Sequence, residues 1–147
     1  MKIAIIYYSK HYENTKKLLN GIAVNHEVTM VDATQTQNFD LTSYDMIGFA
    51  SGIYYSKFHK SVLQFAEKNL PHNKTVFFIY TYGGKRDGYT KAIESVVLEK
   101  SAEIKGEFGC PGFNTFGPFK LIGGIAKGHP NTTDLDNVIS FFDNLIS

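Results

Sequence analysis

Ile3-Ala4-Ile5-Ile6-Tyr7, followed at once by Tyr8-Ser9-Lys10-His11-Tyr12-Glu13-Asn14-Thr15, reads as a buried strand that hands over to a loop of hydroxyls and exposed backbone. A helical pattern follows directly, so unpaired N–H groups and the positive end of the helix dipole face the loop. An anion fits there without a dedicated cation. Ser9 and Thr15 offer hydroxyl donors, Asn14 an amide donor and an N-cap, and Lys10 and His11 add charge or bulk. Taken alone, a capped helix after a strand explains this loop as well as a phosphate site does. The rest of the chain decides between them.

Outward from that stretch, short apolar runs rich in β-branched and aromatic residues alternate with segments of helical periodicity, the pattern of stacked βα units. Five units are predicted. The first strand covers about 2–8, and the helix after Asn14 turns Leu18, Leu19, Ile22 and Ala23 to one face. A second strand runs from Glu27 to Val31, and a third from Asp45 to Ala50 leads into Ser51-Gly52. A helix over Phe58 to Asn69 follows with Val62, Leu63, Ala66 and Leu70 inward. The fourth strand, Thr75 to Tyr80, is apolar enough to be buried on both faces. Ala92, Ile93, Val96 and Val97 mark the next helix, Glu103 to Gly109 the fifth strand. Asp134 to Leu145 is the last helix, with Leu135, Val138, Ile139 and Phe142 inward and Thr133 and Asp136 as its capping box.

Length and composition are consistent with this. A chain of 147 residues suits one domain over 1–147, able to bury roughly two-thirds of its unfolded surface. Cys110 is the only cysteine, so no internal disulfide forms, and no Cys/His cluster has zinc spacing. No metal is expected. With no apolar run near the ~20 residues of a membrane span and no leader pattern, the expected location is the cytoplasm. A net charge of +1 without a basic run gives no footprint for nucleic acid.

Right-handed crossovers make the sheet mostly parallel with helices on both faces, and ligands of such sheets bind at the carboxyl ends of the strands. The ends of strands one, three, four and five carry 9–15, Ser51-Gly52-Ile53-Tyr54-Tyr55, Thr81-Tyr82-Gly83-Gly84 and Cys110-Pro111-Gly112-Phe113. Glycines there let backbone N–H groups approach ring heteroatoms, and tyrosines offer faces for stacking, which suits a flat aromatic ligand with a phosphate tail. Any one tyrosine is explained by rim packing; all the loops together are not.

The Ser-x4-Asn-Thr loop, the 51–54 and 81–84 turns and the order of the five βα units resemble the flavodoxin family over essentially the whole chain. The resemblance implies a doubly wound α/β fold, a five-stranded parallel sheet in the order 2-1-3-4-5, and one non-covalent FMN. It implies that Ser9, Lys10, His11, Tyr12, Asn14 and Thr15 hold the ribityl phosphate. The isoalloxazine would lie between Ser51, Gly52, Ile53 and Tyr54 on one side and Thr81, Tyr82, Gly83 and Gly84 on the other, stacked on Tyr54 or Tyr82. Backbone groups near Gly52 and Gly83 would meet flavin N5 and the pyrimidine edge.

Three features depart from that family. Glu13 stands where glycine is usual before the Asn-Thr pair, so a different backbone path and a weaker phosphate site are expected. The chain is neutral, where low-potential carriers of the family are acidic. Cys110 to Thr132 is a 23-residue connection where loops of about six are usual. Pro118 and Gly128 bracket a short helix in it, with Phe119, Leu121, Ile122, Ile125 and Ala126 on an apolar side. The segment 110–130 either walls a substrate pocket or only packs on the sheet end. Cys110 reads as a small buried hydrophobe, and His59, His72 and His129 as surface residues.

Other nucleotide folds fail on residues. Asp32 suits a dinucleotide site, but no G-x-G-x-x-G follows the first strand. A response regulator needs acids where Tyr8-Ser9 and Ser51-Gly52 stand, a cysteine phosphatase an arginine where Phe116 stands, and no Gly-Lys-Ser/Thr is present. Two functions follow from the resemblance: an FMN protein carrying electrons between protein partners, or an FMN-dependent oxidoreductase reducing a small molecule. The second would be of the quinone-reductase or flavodoxin-type protoporphyrinogen oxidase kind, with 110–130 shaping its substrate site. No residue is assigned a catalytic role, and the oligomeric state is open. A module without flavin rests on Glu13 alone.

Overall fold

The computed structural model describes residues 1–10, 13–113 and 126–147. Strands β1 (Ile3–Tyr8), β2 (Thr29–Asp32), β3 (Met46–Tyr54), β4 (Lys57–Phe58), β5 (Thr75–Tyr82) and β6 (Glu103–Pro111) alternate with α1 (Asn14–Asn25), α2 (Lys60–Asn69), α3 (Lys91–Glu99) and α4 (Thr132–Ile146). The parallel strands lie in the order β2-β1-β3-β5-β6, with β4 paired antiparallel to β3 alone. Counting parallel strands only, this is the expected 2-1-3-4-5 order. The strand order reverses beside β1, where β2 lies on one side and β3 on the other.

Two cores flank the sheet because alternate strand residues point to opposite faces. Ala4, Ile6, Ile47, Phe49, Val76 and Phe78 pack with α2 and α3 through Val62, Phe65, Ala66, Ile93 and Val97. Ile3, Ile5, Met46, Ala50, Phe77 and Ile79 pack with α1 and α4 through Leu18, Leu19, Ile22, Val138 and Phe142. Gly48 is dictated by packing: a Cβ there would sit 2.4 Å from the Phe77 ring.

Several sequence expectations change. Ala23 is exposed, since the inward stripe of α1 closes on Leu18, Leu19 and Ile22. Phe58 belongs to β4 and α2 starts at Lys60, because His59 caps that helix with its ring. The capping box of α4 is Asn131 with Asp134, two residues before the expected Thr133 and Asp136. Strands three and four run on past Ala50 and Tyr80, so Ser51 to Tyr54 and Thr81 to Tyr82 are strand rather than turn. The turn comes at Tyr55 and Ser56, both at positive φ (50° and 64°), the signature of a tight hairpin whose twist matches its strands.

Candidate functional site

The carboxyl ends of β1, β3, β5 and β6 surround one cleft, lined by Ser9, Lys10, Asn14, Thr15, Gly52, Ile53, Tyr54, Thr81, Tyr82 and Gly112. Nine of the residues expected from the sequence therefore share it, with Gly112 as the tenth. Gly83 and Gly84 lie half-buried just beyond, their turn held by the Tyr89 hydroxyl donating to the Gly84 carbonyl. His11 and Tyr12 lie outside the described residues, as does most of the expected short helix over 118–128 with its apolar side, and Phe116. Ser51 is fully buried: its hydroxyl donates to the Gly52 carbonyl (2.5 Å) and accepts from His59 N–H (3.0 Å). Both its bonds brace the β3–β4 hairpin.

The floor of the cleft is a set of hydroxyls and amides whose bonding leaves donors to spare. Ser9 Oγ accepts the Lys16 N–H at 3.0 Å, which satisfies one orphan donor of α1 and keeps the hydroxyl proton for a further partner. Thr15 and Thr81, both buried, share one hydroxyl–hydroxyl bond of 2.9 Å, so one of their two protons is uncommitted among the described residues. Asn14 Nδ2 donates to the Phe113 carbonyl at 2.7 Å, while its buried Oδ1 has no partner among the described residues. A buried, unpaired amide oxygen is costly and marks a place where a ligand hydroxyl or N–H is accommodated. Gly112 makes room for it: a Cβ there would lie 2.7 Å from Asn14 Nδ2.

Glu13 resolves one departure and corrects another expectation. It precedes α1 at φ 51°, ψ 36°, the left-handed conformation that glycine favours, so the backbone takes the glycine-type path after all. Asn14 is therefore not the N-cap but the first residue of the helix, and the Glu13 side chain makes no capping bond.

Tyr54 and Tyr82 line the cleft, and each belongs to a trio of rings packed behind it. On one side His59 lies flat on Tyr8 (3.7 Å, 7°), and Tyr54 meets both edge-on at 5.6 and 5.1 Å. On the other, Tyr80, Tyr82 and Tyr89 meet at 5.9 to 6.1 Å. Burial pushes all three of these hydroxyls above the ordinary tyrosine range, so at neutral pH they are hydrogen-bond donors. Tyr8, His59 and Tyr89 were missed from the sequence. His59 is no free surface residue: its Nδ1 accepts from Ser61 N–H and Ser61 Oγ at 3.1 and 2.8 Å. His129 is likewise engaged, with Asp134 at 2.7 Å; His72 is exposed as expected.

The long connection is tied at both ends. Phe113 N–H donates to the His129 carbonyl at 2.8 Å, and Asn14 holds the Phe113 carbonyl, so the ends of the connection meet beside the phosphate-type loop. Cys110 is buried against the α1/α4 core, and burial pushes its thiol up to about 12, with Asp134 adding to the effect. It is inert packing. Among the described residues no group of three His, Cys, Asp or Glu side chains can hold a metal, and no helix is long and apolar enough to cross a membrane.

A family model described as a flavodoxin domain matches residues 5–110. An uncharacterized protein of Methanocaldococcus jannaschii is 37% identical over 150 residues, covering 99% of both chains. Among solved structures, a flavodoxin from the domain Archaea superposes with a TM-score of 0.69 at 18% identity over 100% of both chains. General stress protein 14 of Treponema denticola, solved in complex with FMN, superposes with a TM-score of 0.66 at 11% identity over 99% of both.

Proposed function

Since this chain belongs to the flavodoxin family, we propose that residues 1–147 form one domain that binds FMN non-covalently and passes electrons to a redox partner protein. One observation carries the cofactor assignment: a helix N-terminus and hydroxyl protons at Ser9 and Thr15/Thr81 that are uncommitted among the described residues open into a cleft lined by Tyr54 and Tyr82. That is donor chemistry for a phosphate next to flat surfaces for a ring. Ser9, Lys10, His11, Tyr12, Asn14 and Thr15 would hold the phosphate end. Gly52, Ile53, Tyr54, Thr81, Tyr82, Gly83 and Gly84 would line the ring, with Ser51 fixing the hairpin behind it.

Bound there, FMN supplies reversible one- and two-electron transfer; the chain supplies position and field. The Asn14 side chain joins the phosphate loop to the segment after β6, and burial keeps the Tyr82 hydroxyl protonated at the cleft wall.

A second reading, an FMN-dependent oxidoreductase acting on a small molecule, is favoured by the closed Phe113–His129 neck, which brings both ends of the 110–130 segment to the cleft. The visible absorption spectrum with added FMN, followed by stepwise reduction, separates the readings. A perturbed flavin spectrum that reduces in two separate one-electron steps supports the carrier. Reduction in one two-electron step, with turnover on a quinone, supports the enzyme. No change in FMN absorption or fluorescence refutes both.

A further inference from the structure

We propose that the rim of the cleft is a docking surface for an acidic electron-transfer protein. The proposal rests on the flavin reading above and is carried by where the charges lie. The described residues of segments 9–17, 52–60 and 83–91 follow the carboxyl ends of β1, β3 and β5 around the cleft, and 126–130 is held to the end of β6 by the Phe113–His129 bond. Of the chain's 15 Lys and Arg these segments hold nine, and of its 14 Asp and Glu only two, Glu13 and Asp87, leaving six cations and twelve carboxylates for the rest. Counting four residues into every helix, as for α1, adds Glu94 and Asp134 and leaves nine cations against four carboxylates, so a protein of net charge +1 carries an excess of positive charge at the cleft. Glu94 and Asp134, just inside α3 and α4, are already engaged by the Thr90 hydroxyl and by His129.

Local stability does not explain this arrangement. Lys16 and Lys17 sit in the first turn of α1, Lys60 opens α2 and Lys91 opens α3, all at the positive ends of helix dipoles, where cations are disfavoured. Glu67, Glu99 and Asp143 lie near the opposite, negative ends. Cofactor binding does not explain it either. Among the rim cations Lys10 lines the cleft, whereas Lys57, Lys60, Lys85 and Arg86 are exposed and outside its lining. Charges that weaken their own helices and do not line the cleft are placed for something arriving from solvent.

The partner's character follows from the shape of the patch. The cations come from separate segments around a recessed aromatic cleft; they do not run along a groove as a polymer of phosphates would require. Tyr55, 82% exposed at the hairpin tip, stands among them, and tyrosine with arginine is the composition of interface anchors. A compact partner with an acidic face around its own redox centre matches a ring of cations around a cleft.

The test uses the full chain, isotopically labelled, titrated with cytochrome b5 as an acidic haem protein and with cytochrome c as a basic one. Cytochrome b5 is expected to shift the amides of Lys10, Lys57, Lys60, Lys85 and Arg86, with the effect lost between about 0.02 and about 0.3 M salt. Lys57→Glu with Lys60→Glu is expected to weaken that binding about tenfold and to leave FMN affinity, read by quenching of flavin fluorescence, within about twofold. Equal or tighter binding of cytochrome c, or cytochrome b5 binding insensitive to salt and charge reversal, overturns the proposal. So does tighter binding of a DNA duplex or of phosphatidylserine vesicles to the same amides. Docking of cytochrome b5 by a chain that takes up no FMN refutes the flavin reading alone.

Discussion

The His59 imidazole lies flat on the Tyr8 ring, centroids 3.7 Å apart, while its Nδ1 accepts the Ser61 N–H that α2 would otherwise leave unpaired. One ring therefore builds the cleft wall and caps a helix. Protonation at Nδ1 breaks the cap, and burial, then Lys60 and Lys10, lowers the His59 pKa below its ordinary value. The unfolded chain then takes the proton first as the pH falls. Stability from this group is complete above about pH 6.5 and declines toward the lower folded pKa. Urea unfolding at about pH 7.5 and about pH 5 should show wild type losing more stability than His59→Asn, which keeps a capping side chain. Equal losses refute the coupling.

Glu13→Gly should tighten FMN binding several-fold and leave stability unchanged or improved. The left-handed backbone at φ 51° costs a non-glycine residue about 1 kcal/mol, offset in part by the larger unfolded-state entropy of glycine. The substitution also removes a carboxylate from within the phosphate-type loop. Fluorescence titration with FMN, paired with thermal unfolding, reads both effects; weaker binding would contradict them.

Ser9→Ala removes the oxygen that accepts Lys16 N–H and the proton proposed for phosphate. A cost of about 1 kcal/mol in stability is expected, together with roughly tenfold weaker FMN binding. Ser9→Thr, which keeps the hydroxyl, should restore most of both. Unchanged FMN affinity in Ser9→Ala would remove Ser9 from the site.

Gly48→Ala drives a Cβ to 2.4 Å from the buried Phe77 ring between facing strands. Overpacking of this kind costs about 1–3 kcal/mol. Denaturant unfolding of the single variant and of its combination with Phe77→Leu should show part of the loss recovered in the double variant. Additive losses would place the strain elsewhere.

Cys110, with its thiol held near 12 by burial, should resist a thiol reagent at neutral pH in the folded protein and react fully in urea. Fast labelling of the native chain would show that the core around it opens.

The parallel order was legible because each strand is an apolar run broken by helical periodicity, and right-handed crossovers leave few arrangements. Ser9, Asn14, Thr15 and Thr81 were legible as polar residues at strand ends. The β3–β4 hairpin was not, since neither Tyr55 nor Ser56 favours the positive φ of such a turn and only tertiary context holds them there. Tyr8, His59 and Tyr89 escaped notice because three distant segments bring their rings to one cleft. The polarised charge was hidden for the same reason: no single run is basic, and the cations converge only where the strands end together.

Asn14 reaches Phe113 across 99 positions and Thr15 reaches Thr81 across 66. The loop that is translated first is thus finished by segments translated much later. During synthesis α1 has no completed pocket beside it until β6 has left the ribosome and docked on β5. Capture of the proposed FMN would therefore be one of the last events of maturation, and a nascent or C-terminally shortened chain should emerge colourless.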